Sequence, residues 1–272
     1  MNGLHLSALV LIGLTNLVPA AAAVAAEDRE GPTEPDRVPA APTRSVHGDR
    51  AVSPLLNRHY QDGDPRDWTQ VFERPGREVF DQRFKIVHAV RPHPGMRIAD
   101  IGAGTGLFTV LFARAVGPDG VVYAVDTSPS FVVGLGELAA RYRVDNIVPA
   151  VSTQEDTRLP AAGIELAFVC DTYHHFEYPR AMLDSIHQAL VPGGALIIID
   201  YRRRSGLSSA WVMQHVRADR DQVVAEVRQA GFRLVEEPDF LTENYFLRFE
   251  KHDATAGSEA DPGAPAAPPH AP

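Results

Sequence analysis

Between Arg97 and Gly106 the chain reads Arg-Ile-Ala-Asp-Ile-Gly-Ala-Gly-Thr-Gly, and this segment limits the possible folds more than any other. An apolar strand that runs into three alternating glycines must turn sharply, because glycine alone enters left-handed backbone without steric cost. Leu107 to Val116 follows with a helical apolar pattern, closed by the turn Gly117-Pro118-Asp119-Gly120. Val121 to Val125 is β-branched and ends at Asp126, after which Ser128 and Pro129 open a helix to about Tyr142.

The alternation persists. Strands are expected at Ile147–Val151 and Ile164–Cys170, a helix at Arg180–Leu190, and a strand at Ala195–Ile199 after the turn Pro192-Gly193-Gly194. A helix over Asp221–Ala230 stops at Gly231, and Arg233–Pro238 and Asn244–Phe249 form a terminal hairpin. Upstream, Glu78 to Val90 predicts one amphipathic helix, stopped by Pro92 and Pro94. Alternating strands and helices imply a mostly parallel sheet covered on both faces, with one antiparallel strand at its end. Ligands of such sheets bind at the carboxyl ends of the strands.

The flanks read differently. Leu6 to Ala26 is apolar, and Val24-Ala25-Ala26 before Glu27-Asp28 fits a cleavage site, so residues 1–26 are expected to be a signal peptide or membrane anchor. The product would be exported, to a periplasm or medium, if the signal acts, and membrane-anchored or cytoplasmic otherwise. Residues 27–53 read as a flexible linker, 54–95 as an N-terminal helical lid, 96–250 as the main domain and 251–272 as an Ala/Pro-rich tail. Of 272 residues 44% are hydrophobic, enough for a core of this size. The net charge of −9 argues against a general nucleic-acid binder, which needs basic surface. Cys170 is the only cysteine, which excludes an internal disulfide.

The glycine loop also discriminates between ligands. A dinucleotide loop places its last glycine where this chain has Leu107, which disfavours a nicotinamide-dependent reductase. Asp100 just before the loop suits a ligand bearing an ammonium, and Asp126 can accept from a ribose hydroxyl pair. These features, in order, resemble the class I S-adenosylmethionine-dependent methyltransferases, of the small-molecule, ubiquinone-biosynthesis-like type. The resemblance covers about Arg77 to Phe249 and implies a Rossmann-like seven-stranded sheet. It implies that Asp100, Gly102, Ala103, Gly104, Thr105, Gly106, Asp126 and Thr127 hold S-adenosylmethionine. Glu155 and Asp156 look like the segment that meets the adenine, and Asp171 belongs with the end of strand four beside the transferred methyl.

Tyr173, His174 and His175 are the catalytic candidates, since a histidine takes a proton near neutral pH. Either histidine acts as base, or caps a helix or lines the pocket. Trp68, Phe72, Arg77, His215 and Arg217 are candidate substrate contacts; an arginine recognises a carboxylate or phosphate, which makes the acceptor anionic if these two bind it. Adjacent histidines lack chelating helical spacing, so no metal is expected. The expected activity is methyl transfer to an O, N or S atom of a small molecule, with oligomeric state open. The alternative is a non-catalytic protein that binds a ligand or partner on the same fold.

Overall fold

A computed structural model describes residues 50–61 and 64–252. The expected signal segment, all but the last four residues of the linker, and nearly all of the tail lie outside the described residues. Among the described residues no helix is long and apolar enough to cross a membrane.

The elements are α1 (Pro54–Gln61), α2 (Pro65–Phe72), α3 (Glu78–Asp81), α4 (Arg83–Val90), β1 (Arg97–Ile101), α5 (Leu107–Val116), β2 (Val121–Asp126) and α6 (Pro129–Tyr142). They continue as β3 (Ile147–Val151), β4 (Ile164–Cys170), a 3-10 turn (Tyr173–His175), α7 (Pro179–Ala189), β5 (Leu190–Tyr201), α8 (Ala210–His215), α9 (Arg220–Gln229), β6 (Phe232–Glu236) and β7 (Asn244–Lys251). One seven-stranded sheet has the order β3-β2-β1-β4-β5-β7-β6. β7 alone runs antiparallel to its neighbours, β5 and β6. This is the Rossmann-like architecture and the terminal hairpin that the alternation implied.

Both faces of the sheet are buried, and the two-residue period of the strands divides the core between them. Ala99, Val125, Ala167, Val169, Leu196 and Ile198 pack beneath α7 and α9. Ile98, Val122, Leu166, Phe168, Ile197 and Ile199 pack on the other side with α4 and α5. There the Phe168 ring lies 4.9 Å from both Phe108 and Phe112, tilted to one and edge-on to the other. Such pairs add about 0.5–1.5 kcal/mol each beyond the area they bury.

Two local expectations need correction. The single helix expected over Glu78–Val90 is two, α3 and α4, meeting at Gln82, whose φ of −94° and ψ of 9° are off-helical. The break turns α3 so that Glu78 reaches the hairpin connection between β6 and β7. Its carboxylate accepts from the backbone N–H groups of Thr242, Glu243 and Asn244, the last two at 2.8 Å. The turn expected at Pro192-Gly193-Gly194 is a bulge inside a longer β5, where the register with β4 shifts between Ile164↔Leu190 and Leu166↔Ala195.

The chain reverses sheet direction between β1 and β4: β2 and β3 lie on one side, β5, β7 and β6 on the other. A crevice therefore opens at the carboxyl ends of β1 and β4. α2 crosses toward that edge and packs on α6, where Gly134 leaves room for Pro65; a Cβ there would sit 3.2 Å from the proline ring. Asp64 caps α2 by accepting from the Arg66 N–H, and Pro65 starts the helix.

Glu78→Ala strips three N–H groups of their acceptor at the start of β7. We expect a loss of about 1–2 kcal/mol in denaturant unfolding, with faster amide exchange at Thr242–Asn244 and unchanged exchange in β1.

Candidate functional site

A cavity of about 1100 Å³ occupies the crevice, walled by the loops after β1, β2, β4 and β5 and roofed by α2 and α8. Its floor is the glycine loop. Gly102 (φ +73°), Gly104 (φ +52°) and Gly106 (φ +84°) all adopt left-handed backbone. The N–H groups of Gly102 and Ala103 bond the carbonyl of Val125, which fixes the loop to β2. At Gly102 a Cβ would lie 2.2 Å from Thr172 Cγ2, because the loop after β4 crosses directly over it.

Asp126, at the end of β2, accepts from the Gly104 N–H and the Ser128 N–H, both at 2.9 Å. Burial pushes its carboxyl up, against the pull of these N–H groups. Asp100 is 4% exposed and accepts from the Thr109 hydroxyl at 2.6 Å. Burial raises it to about 7, opposed by that hydroxyl and reinforced by the charge of Asp126. Among the described residues no ion pair involves either acid. Two buried carboxylates without a protein cation beside them are a setting for a cationic ligand.

The other end of the cavity is aromatic and basic. His174 donates its backbone N–H to Asp200 Oδ2, and its Nδ1 meets Asp200 Oδ1 at 2.7 Å. Burial opposes charge on this ring, but the carboxylate outweighs it, so its pKa is raised. His175 Nδ1 lies 2.9 Å from Asn57 Oδ1, while Asn57 Nδ2 donates to the His175 carbonyl and to Glu177. Burial, then the neighbouring His174 and His215, lower His175 to about 2, so it is neutral. Tyr60 stacks among Trp68, Phe72 and His175, and Trp211 lies flat on His215 at 4.5 Å.

Of the residues expected to hold a cofactor, Asp100, Gly102, Ala103, Gly104, Thr105, Asp126, Thr127 and Asp171 line the cavity. Gly106 does not. It starts α5, and a Cβ there would strike Leu138 Cδ2 at 2.3 Å, so it is a packing glycine. Glu155 and Asp156 also stand off the wall. Asp156 accepts from Ser185 and from the Arg158 N–H, which turns it toward α7, and Ser152 and Gln154 face the cavity instead. Asp171 is fully engaged, accepting from Arg77 at 2.7 Å and from Asn244 Nδ2 at 2.6 Å.

Tyr173, a catalytic candidate, is 0% exposed, and its hydroxyl donates to Glu226 at 2.6 Å beneath the sheet. A 3-10 turn sends consecutive side chains to different sides, so Tyr173 enters the core while His174 and His175 face the cavity. Arg217, expected on the substrate, is bidentate on the same Glu226. Trp68, Phe72, Arg77 and His215 do reach the cavity. Arg77 spends its charge on Asp171, so neither arginine proposed for an anionic acceptor presents a free guanidinium. Asn57, Ser152, Gln154 and Asp200 were not foreseen. Only Asp200 left a sequence signal, as an acid closing a strong strand at the ligand-binding edge.

The fold is the Rossmann-like one seen in methyltransferases. Residues 99–196 match the family described as a methyltransferase domain. A ubiquinone/menaquinone biosynthesis C-methyltransferase from Shewanella oneidensis is 28% identical over 111 residues, 40% of this chain and 44% of that protein. The chain thus spans less than half the length of the curated relatives it matches. Among solved structures, a SAM-dependent methyltransferase from Aquifex aeolicus superposes with a TM-score of 0.62 at 22% identity, over 69% of this chain and 98% of that one. The [4+2]-cyclase SpnF superposes at 0.56 with 17% identity, over 66% of this chain and 85% of that one. At these identities the structural likeness is one of fold, and the cyclase shows that this fold serves more than one reaction. Fold and family match imply S-adenosylmethionine as the cofactor. The residues present fit it: a glycine floor and two buried acids that, among the described residues, pair with no cation.

Gly102→Ala combines an unfavourable φ with a clash against Thr172. We expect a loss of about 2–4 kcal/mol by thermal or denaturant unfolding. Adding Thr172→Gly should recover the steric part and leave the backbone part.

Proposed function

We propose that this protein is an S-adenosylmethionine-dependent methyltransferase that methylates an O, N or S atom of a small molecule. The observation that carries the reading is the pair Asp100 and Asp126, buried at a glycine loop with no counter-ion among the described residues, in one cavity with an aromatic, histidine-lined far end. Asp126 would take the ribose hydroxyls. Asp100 would balance the cationic methionine end, and Ser152 and Gln154 would border the base.

The bound cofactor supplies an activated methyl group and a good leaving group. What this chain adds is alignment and exclusion of water. Phe72 lies over Gly104, where a Cβ would come 3.5 Å from its ring, and with Trp68 and Tyr60 it closes the cavity from the N-terminal side. His174 and His175 each have Nδ1 engaged, leaving Nε2 as the free nitrogen for the acceptor. The aromatic lining favours a flat acceptor held by packing and hydrogen bonds. Export, read from the apolar run Leu6 to Ala26, is part of the proposal, and cell fractionation with antibody detection tests it.

Isothermal titration with S-adenosylmethionine tests the core of the reading. One site per chain is expected, and absence of binding overturns it. Asp126→Ala should weaken binding about 10–100-fold, the worth of charge-assisted hydrogen bonds. A cationic ligand binds the ionised form of Asp100, whose carboxyl stands at about 7. Affinity should therefore rise about tenfold from pH 6 to pH 8, with proton release that Asp100→Asn abolishes.

His175→Ala should lower kcat about 100-fold or more, measured with whichever acceptor a metabolite extract yields by product mass spectrometry, while cofactor affinity holds within about twofold. A parallel loss of cofactor affinity would move His175 from the acceptor end to the cofactor end.

A further inference from the structure

His174, His175 and His215 come from two places in the chain, the turn after β4 and the end of α8, and meet at one wall of the cavity. One ring nitrogen from each lies within 4.8 Å of the other two. The ring centroids form a near-even triangle, 4.2 Å between His174 and His175, 5.2 Å from His174 to His215 and 5.1 Å from His175 to His215.

The surroundings of the rings bear on what they can do. Asp200 holds His174 by Nδ1, and Asn57 holds His175 by Nδ1. Because Asn57 Nδ2 donates to the His175 carbonyl, its Oδ1 must be the atom facing the ring. His175 Nδ1 therefore carries the proton and Nε2 carries the lone pair. A carboxylate or amide oxygen behind one nitrogen, with the other left open, is the outer support that metal-bound imidazoles use. His215 Nε2 is buried and has no hydrogen-bond partner, which costs stability unless something fills that role. Trp211, stacked on the His215 ring, fixes its plane.

We propose that His174, His175 and His215 form a binding site for one divalent first-row transition ion, zinc being the reference case, with its remaining coordination positions open to the cavity. Three imidazoles suit zinc, copper, nickel or iron and leave at least one position for water or substrate. Zinc bonds nitrogen at about 2.0–2.1 Å, so tetrahedral coordination would draw the three nitrogens to about 3.3 Å apart. Small side-chain torsions at the three rings would close that gap, His215 sliding within the plane that Trp211 sets. If the methyl-transfer reading holds, an ion here would bind the acceptor directly and hold its oxygen, nitrogen or sulfur deprotonated. The metal site itself does not depend on that reading.

Full-length protein carrying no polyhistidine tag, stripped with a chelator, is titrated with zinc by calorimetry and analysed for bound metal after dialysis. One equivalent per chain is expected, with affinity falling at least about a hundredfold in His215→Ala and in the size-matched His215→Gln. Cobalt titration should give the intense visible absorption of four- or five-coordinate nitrogen ligation, lost in both variants. Circular dichroism confirms folding, and a cofactor titration in parallel separates this result from the methyl-transfer reading. Less than about a tenth of an equivalent in the wild type, or equal affinity in wild type and His215→Gln, would overturn the proposal.

Discussion

Arg77 and Asp171 meet at 2.7 Å in a nearly dry setting, with side chains 19% and 5% exposed, and much of the cavity hangs on that contact. Arg77 also donates to the Phe72 carbonyl at 2.6 Å, and Asp171 also accepts from Asn244. One ion pair thus ties together the end of α2, the loop after β4 and the start of β7. Removing either partner would leave a buried charge alone, an arrangement that costs about 3–5 kcal/mol. Asp171 sits at φ +48°, a conformation that asparagine and aspartate tolerate better than most side chains. The pair holds the crossing of Thr172 over Gly102 and points the next turn into the cavity.

From this point the cavity divides into two ends of opposite character. The cofactor end is acidic, with Asp100 and Asp126 buried and, among the described residues, in no ion pair. The far end gathers aromatic and imidazole rings, His174 on Asp200 and a neutral His175 on Asn57. That division suits a reaction in which a cationic donor meets a neutral or deprotonated acceptor, because each end favours its own partner. The lid does more than cover: Asn57 in α1 sets the tautomer of His175, so the N-terminal helices shape the chemistry of a residue 118 positions away.

Much of the fold was legible in the sequence. β1, α5, β3 and β4 fall where Arg97–Ile101, Leu107–Val116, Ile147–Val151 and Ile164–Cys170 predicted, because short apolar runs between turn residues mark the strands and an apolar helical period marks α5. The glycine loop with Asp100 and Asp126 was legible as well, since turn chemistry and strand ends are local. Gln82 was not: nothing in the periodicity of Glu78–Val90 shows that Glu78 is needed at β7. Tyr173 and Arg217 were misread for a related reason. Their types suit chemistry, but Glu226 on α9, distant in sequence from Tyr173, claims both.

The sequence by itself determined the strand and helix alternation, the tight loop after β1 and the acids that follow two strands. Each of these depends on residues within a few positions of one another. Only the tertiary structure decided which side chains share the cavity. It brought His215 to His174 and His175, set Asn57 behind one ring and Asp200 behind another, and withdrew Arg77 and Arg217 into ion pairs. Charge pairing and burial act through space, and linear spacing carries no record of them.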